Sequence, residues 1–326
     1  MPVTLRDVAR AAGVSTASAS RALARPGAVS QELRARILAA AGRLGYSPNL
    51  AARALVARRS GLVAMLVDAP IEPLRAAALA AIERELAHAG YALLVAAAQG
   101  PEDALARSGD LLGRGVEGVI CWSAADTDAL RARAESRSVP WVVFDHPATG
   151  GLAFAASSGR LRGSVLASRY LLSLGHRRFA TLAAPASGIG EAVREVLAGT
   201  SATLRESPSA AVRGDLDRAQ AAVGALLDGG EPTAILCDDD LLAMAALREC
   251  AGRGLSVPGE ISVVGFGDSP LARCSSPPLT SVRVAAEEIG ARAAEALLLM
   301  LAGGVPSPAE VSLKLVIRES TGPAPA

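Results

Sequence analysis

Aromatic residues are scarce in this 326-residue chain, where Phe, Trp and Tyr together make up 3%. Ala, Leu and Val must therefore fill any core, and with 51% of residues apolar there is material for a large one. The four cysteines, Cys121, Cys237, Cys250 and Cys274, show no paired spacing, which argues against a disulfide framework or a thiolate metal site. They read as structural thiols of a reducing cytosol. His88, His146 and His176 are scattered. No apolar run approaches the length needed to cross a bilayer, and the polar residues from Thr4 onward exclude a secretory signal. A cytoplasmic protein is the expectation. Nucleotide fingerprints are missing too: Gly265-Phe-Gly267-Asp-Ser-Pro270 lacks a third glycine and runs into proline. There is no phosphate-binding P-loop, and no nucleophile sits in a recognisable elbow. Neither an enzyme, a cofactor nor a bound metal is expected.

What is present begins at Thr4. Leu5, Val8, Ala9 and Ala12 fall on one helical stripe, with Thr4 placed to cap it and Asp7 three positions on. Gly13 supplies the backbone freedom to end that helix, Val14 reads as a buried pivot, and Ser15 can cap a second helix from Thr16 to about Ala24. Two short helices joined through such a turn make a helix-turn-helix, which lays its second helix in the major groove of DNA. Here that helix carries small, mostly hydroxylic residues (Ser15, Thr16, Ala17, Ser18, Ser20), so its backbone can approach closely. Arg21 is the one long donor, suited to guanine or to a phosphate. A third helix runs from about Gln31 to Leu44, capped by Ser30, its stripe of Leu33, Ile37, Ala40, Ala41 and Leu44 closing a three-helix core.

Charge separates this head from the rest. Residues 1–59 hold ten Arg against Asp7 and Glu32, a net of +8, whereas the whole chain carries +1 and the remainder therefore −7. A basic head on an acidic body is the electrostatic footprint of a nucleic-acid binder.

From Gly61 the period changes. Leu62–Val67, Tyr91–Ala97, Val116–Cys121 and Trp141–Phe144 read as buried strands, with helices of about 74–89, 102–113 and 126–136 between them. A second series has strands at Phe179–Ala183, Thr233–Cys237 and Ile261–Phe266, with helices near 160–174, 215–228 and 239–253. Alternation of this kind implies doubly wound parallel sheets, here two of them. The segment 187–214 gives a weak strand at best. Helix 285–301 and the run Val311–Ile317 complete the lobes. The expected fold is a small all-α helix-turn-helix head plus an α/β core of two doubly wound parallel-sheet lobes.

Thr4-Leu-Arg-Asp-Val-Ala, Gly13-Val-Ser, Ser20-Arg-Ala-Leu, Val29-Ser, Gly45-Tyr-Ser-Pro-Asn49 and Ala52-Arg-Ala-Leu55 together resemble the LacI/GalR family of bacterial repressors, over essentially the full length. The resemblance implies a homodimer on a near-palindromic double-stranded DNA operator, and a periplasmic-binding-protein-like cleft for a small-molecule effector. It divides the chain into a head (1–48), a hinge linker (49–60) and a core (61–326), with lobe 1 about 61–147 and 277–304, and lobe 2 about 148–276 and 305–326. DNA-facing residues are carried over at Thr4, Leu5, Ser15, Thr16, Ala17, Ser18, Ser20, Arg21, Val29, Ser30, Tyr46, Asn49 and Ala52, and Leu55 matches a leucine driven into the minor groove as a wedge.

Open α/β sheets bind ligands at the carboxyl ends of their strands. Asp68, Trp122, Asp145 and Asp239 stand there, with Asp268 after another strand end, and Phe154 matches a pocket aromatic of the family. Taken singly, each is as readily a helix cap or a solvated loop acid, and Asp240 reads as the cap of helix 241–253. Gly175-His-Arg-Arg reads as a helix end with its cations on the dipole. Departures from the family pattern stand out. Ala192 replaces an Arg, Gly267 an Asp, Ser157-Ser158 an Asp-Asn pair, and Val284 a Gln. A pocket without its Arg fork and one carboxylate has lost the charge-assisted bonds that hold a polyol. The effector is then smaller or more apolar than a typical sugar, or the cleft responds to none. Two other classes compete: a solute-binding protein with an incidental basic head, and a Rossmann enzyme. The complete helix-turn-helix opposes the first, and the missing fingerprint the second.

Overall fold

The computed structural model describes residues 3–24, 27–47, 59–68, 73–122, 127–144, 153–183, 187–207, 215–229, 232–307 and 311–325. The chain divides into two units, Met1–Ser60 and Gly61–Ala326. In the first, α1 (Leu5–Ala11), α2 (Thr16–Ala24) and α3 (Gln31–Leu44) surround a small core of Val8, Ala12, Ala19, Ile37 and Ala40. Alanine faces let the helices approach closely, and Ile37, fully buried, is the largest side chain enclosed there. Each helix start is capped. The Thr4 amide donates to Asp7 Oδ2 at 3.0 Å, and the Ser18 and Leu33 amides donate to the hydroxyls of Ser15 and Ser30 at 3.1 and 3.3 Å. Gly13, at φ +63°, makes the left-handed turn between α1 and α2. Two positions depart from the sequence pattern. Leu44 is 37% exposed, because α3 ends there and its last turn runs past the core, and Val14 is only half-buried.

The second unit contains two sheets. The first has the order β2-β1-β3-β4-β5, all parallel, from β1 (Leu62–Asp68), β2 (Ala92–Ala98), β3 (Gly118–Trp122), β4 (Trp141–Phe144) and β5 (Ala153–Ala156). Between them run α4 (Pro73–His88), α5 (Pro101–Gly113) and α6 (Thr127–Glu135). Strand alternation divides its apolar residues between two faces. Ala64, Leu66, Val119 and Val143 join one cluster with Leu111 and Leu130 of α5 and α6, while Val63, Met65, Ile120 and Val142 join another with Ile82 of α4.

The second sheet is larger, with the order β11-β10-β9-β8-β6-β7. Its strands are β6 (Arg178–Leu182), β7 (Thr203–Glu206), β8 (Ala234–Cys237), β9 (Ser262–Gly267), β10 (Thr280–Val284) and β11 (Leu313–Val316), the last antiparallel to β10. Its helices are α7 (Arg160–Ser173), α8 (Ile189–Leu197), α9 (Leu216–Asp228), α10 (Asp240–Gly252) and the short α11 (Pro270–Cys274). The final long helix, α12 (Ala286–Leu301), packs not on this sheet but against α4 and strands β3 to β5. Contact there is so close that a Cβ at Gly290 would collide with the Ala78 backbone.

These pairings correct the expected lobe boundaries. The first lobe does not stop near 147, because β5 pairs with β4 in register from Trp141↔Ala153 to Phe144↔Ala156. Nor does 277–304 belong wholly to it: β10 hydrogen-bonds to β9, and only α12 returns. The weak segment after residue 187 contains both a helix and an edge strand. One hydrophobic cluster runs from Met65 and Phe144 of the first lobe to Phe179, Val264 and Phe266 of the second, so the lobes share a core at their junction.

Candidate nucleic-acid interface and effector cleft

The head presents one polar face. Along α2, Ala19 and Ala22 are buried while Thr16, Ala17, Ser20 and Arg21 are exposed, as is Ser15 at its cap. Ser18 is half-buried and accepts from Arg21 Nη2 at 3.4 Å, which holds the guanidinium along the helix surface. Thr4 and Ser30 are exposed at the starts of α1 and α3. Leu5, Val29 and Tyr46 are different in kind, packing against the head core and showing only part of their surface. Asn49, Ala52 and Leu55 lie outside the described residues. The Thr4 hydroxyl donates to Asp7 at 2.6 Å and holds that carboxyl below its ordinary range, so the one acid of α1 is spent on its cap.

The carboxyl ends of the first sheet bring Asp68, Trp122 and Phe144 together with a residue that motif reading passed over. Arg75 projects from the first turn of α4, is 3% exposed, reaches Asp68 Oδ2 at 3.4 Å, and lies 5.5 Å from the centre of the Trp122 ring. That ring also stacks on Phe144, centroids 4.2 Å apart. Trp122 is thus engaged by Phe144 and Arg75 and is 3% exposed, so it offers a ligand little of its surface. A signal for Arg75 was available in the sequence, since it stands on the buried stripe with Ala78, Ile82 and Leu86. Asp145 lies outside the described residues; Phe154 is placed on β5 opposite Val142, and its side chain is likewise outside them.

The second sheet contributes acids, each already occupied. Asp239, not Asp240, caps α10, accepting from the Leu242 amide at 2.7 Å. Asp240 instead turns into the lobe, where the Ser269 amide and the Ser281 hydroxyl each donate to it at 2.6 Å. Burial pushes its pKa up to about 6 despite those bonds. Asp238 is fully buried against Arg160 of α7 as an ion pair, and the Arg160 guanidinium also lies 5.5 Å from the Phe266 ring. Asp268 meets Arg283 Nε at 2.6 Å and Arg318 Nη2 at 2.5 Å. It ties β10 and the chain after β11 to the end of β9, the work of an internal clamp. Gly267 has φ +116°, and a Cβ there would lie 3.6 Å from that of Leu74 on α4. A carboxylate side chain at 267 would be strained and would point at an apolar neighbour of the other lobe.

Two further readings change. His176 does not face a helix dipole: its ring is buried, with Nδ1 3.0 Å from Thr233 Oγ1 and Nε2 3.0 Å from Ser262 Oγ and 3.1 Å from the Gly322 carbonyl. The dipole contact falls to Arg177, which donates to the Leu172 carbonyl at 3.3 Å. Cys121, Cys237 and Cys250 are buried, with burial raising the thiol of Cys250 to about 11, whereas Cys274 is exposed. Among the described residues no cluster of potential ligands could hold a metal ion. No described helix is long and apolar enough to cross a membrane.

A three-helix module with one exposed hydroxyl-and-arginine helix, followed by two sheets joined by repeated crossings, defines a helix-turn-helix regulator with a periplasmic-binding-protein-like core. The comparisons agree. The model for bacterial regulatory proteins of the lacI family matches residues 4–49, and that for a periplasmic binding protein-like domain matches 168–321. The HTH-type transcriptional regulator GntR of Pseudomonas aeruginosa is 34% identical, with 98% of this chain and 95% of that protein covered. The lactose operon repressor of Escherichia coli is 31% identical, with 93% and 86% covered. Among solved structures, the lac repressor dimer bound to operator and the anti-inducer ONPF superposes with a TM-score of 0.80 at 26% identity, covering 99% of this chain and 100% of that one. The regulator CelR in complex with cellobiose gives 0.70 at 28% identity, covering 98% and 99%. The chain belongs to the LacI family: it is a DNA-binding transcriptional regulator, not an enzyme.

Proposed function

We propose that the chain acts in the cytoplasm as a homodimeric repressor on a near-palindromic operator, with the head as residues 1–48, the hinge linker as 49–60 and the core as 61–326. One observation carries the reading: the exposed face of α2 pairs small hydroxylic residues with Arg21 on a head of net charge +8. Small side chains let the helix sink into the major groove, and Arg21 supplies the bidentate donor. Leu55 is proposed as the minor-groove wedge, with Asn49 and Ala52 on the backbone beside it. The core sets operator affinity through lobe closure, and an effector controls it only through different affinities for the competent and incompetent states. The cleft is atypical. Asp239 is used as a cap, Asp268 is clamped by two arginines, and Trp122 is covered by Phe144 and Arg75, which leaves few free groups for a polyol. Operator selection from a random duplex library, followed by fluorescence anisotropy, tests the reading. Arg21→Ala and Leu55→Ala are each expected to weaken the selected duplex selectively, and unchanged affinity and specificity in both would refute it.

A further inference from the structure

Two neighbouring helices of the second lobe leave part of their apolar surface uncovered. α7 and α8 begin side by side: a Cβ on Gly188, just ahead of α8, would stand 3.0 Å from Cδ2 of Leu161 in the first turn of α7. Ala167 and Leu171 of α7 and Ile189, Val193 and Leu197 of α8 are buried in the shared core. Away from that core the pair encloses a groove of about 640 Å³, floored by Leu161, Val165, Leu166 and Ala192. Leu161 is 50% exposed and Leu166 39%. The rims differ in sign, with Arg162 and Arg169 along α7 and Glu191 and Glu195 along α8. Among the described residues Arg169, Glu191 and Glu195 form no ion pair within the chain, although the two rims line one groove.

We propose that this face binds the same face of a second copy of the chain and so joins two operator-binding dimers into a tetramer. Charge argues for that occupant. A two-fold axis running along the groove lays α7 of each copy over α8 of the other, the self-complementary arrangement of an isologous contact. Leu161 and Gly188 stand level, and both helices rise equally per residue, so Arg169 then meets Glu195 of the other copy and Arg162 lies near its Glu191. The exposed leucines close over one another between these rims. An axis across the helices would instead set arginine rim on arginine rim, which like charges oppose. Affinity comes from the leucines and register from the rims, since exposed ion pairs contribute little. The helices are only ~21 and ~14 Å long, so the contact falls in the weak class below ~1,200 Å². That is too small for an obligate dimer and makes this contact secondary to the one that pairs the heads. Dimers joined weakly can still hold two operators on one DNA, where the linkage raises their local concentration. The tetramer rests on the homodimer reading given above; the pairing of the faces does not.

Sedimentation velocity of the full-length protein from about 1 to 100 µM tests the pairing, a range suited to a contact of this size. Dimers should give way to tetramers as concentration rises. Leu166→Glu sets a charge in the middle of the apolar floor and should raise the dissociation concentration at least roughly tenfold, with an unchanged melting curve because the position is exposed. Arg169→Glu and Glu195→Arg each place like charges at both ends of the contact, and each alone should stay dimeric. Mixed in equal amounts, the two variants again oppose unlike charges throughout and should form mixed tetramers, a rescue that a merely damaged fold would not show. Wild-type protein that remains dimeric up to 100 µM overturns the second-copy assignment and leaves the groove to the helix of some other chain. Tetramers indifferent to Leu166→Glu overturn the choice of face, and variants that fail to complement one another overturn the two-fold pairing. Monomers that give dimers and nothing larger, in a step weakened by Leu166→Glu, support the pairing of the faces and count against the separate operator dimer alone.

Discussion

The two working regions of this protein are built in opposite ways. In the head, the functional side chains of α2 come from one stretch of seven residues, Ser15 to Arg21, and nearly all are exposed. In the cleft, Asp68, Arg75, Trp122 and Phe144 are gathered from three strands and a helix, and the ion pairs around them are buried. An exposed set touches little else in its own chain, so its residues can be replaced at small cost to folding. A buried set answers to the core first. A charge in it must be matched by another, and each match consumes a group that a ligand could have used. The familiar-looking acids of the second sheet illustrate this: Asp239 is a cap, Asp268 a clamp, Asp238 half of an ion pair, and Asp240 is held by Ser269 and Ser281.

The sharpest way to break the comparison is at Asp238. Removing one member of a buried pair leaves the other charge stranded, so Asp238→Ala should destabilise the core by about 3–5 kcal/mol. Replacing both partners with apolar residues, as Asp238→Leu with Arg160→Met, should restore most of the loss. Calorimetric melting of single and double variants checks this, and a double variant no more stable than either single one contradicts it. In the head, Ile37→Ala removes the largest enclosed side chain and should cost ~2–5 kcal/mol, enough to abolish DNA binding by unfolding the module. Loss of the helical circular-dichroism signal in a head fragment would accompany it.

Arg21→Ala should leave the melting temperature where it is and cost roughly 1–3 kcal/mol of operator discrimination, the inverse of the Asp238 result. A smaller effect is expected from acid. Burial holds the His176 pKa below its ordinary value, so the folded ring is neutral. As pH falls below about 6.5 the unfolded chain takes up a proton that the folded one refuses, and stability is lost until the folded pKa is reached. Asp240 works the other way: burial lifts its folded pKa from the ordinary 3.8 to about 6, so stability is gained as pH falls from 6 towards 4. His176→Gln should therefore remove the acid sensitivity beginning near pH 6.5, and thermal melts of both proteins across pH 5–8 compare the slopes. The smallest expected effect is none: common hexoses should not raise the melting temperature of the core, and a clear shift with any of them would reopen the cleft to sugars.

Much of the architecture was legible because it is written in local periods. The stripe Leu5, Val8, Ala9 and Ala12, the caps at Ser15 and Ser30, and the alternation of apolar runs with amphipathic helices each reflect a preference of a few neighbouring residues. Misreadings occurred where two residues far apart decided the outcome. The resemblance assigns the whole of 277–304 to the first lobe, whereas the register of β10 with β9 places its first part in the second sheet. Asp240 sits at the proper spacing for a cap, yet Asp239 took that role because Ser269 and Ser281 hold Asp240 inward. Arg75 stands on a buried helical stripe that the sequence displays, but no local pattern pairs it with Asp68, and none pairs Arg160 with Asp238.

The amino-acid sequence alone determined that the protein has a basic three-helix head, since helix period, capping and charge depend on residues within a turn or two of one another. It determined equally that two strand-and-helix lobes follow. Only the tertiary structure decided which carboxylates are free, which arginines are buried, and where two helices leave a groove. Those outcomes depend on contacts between distant segments, and pairing across long loops leaves no trace in the spacing of neighbours.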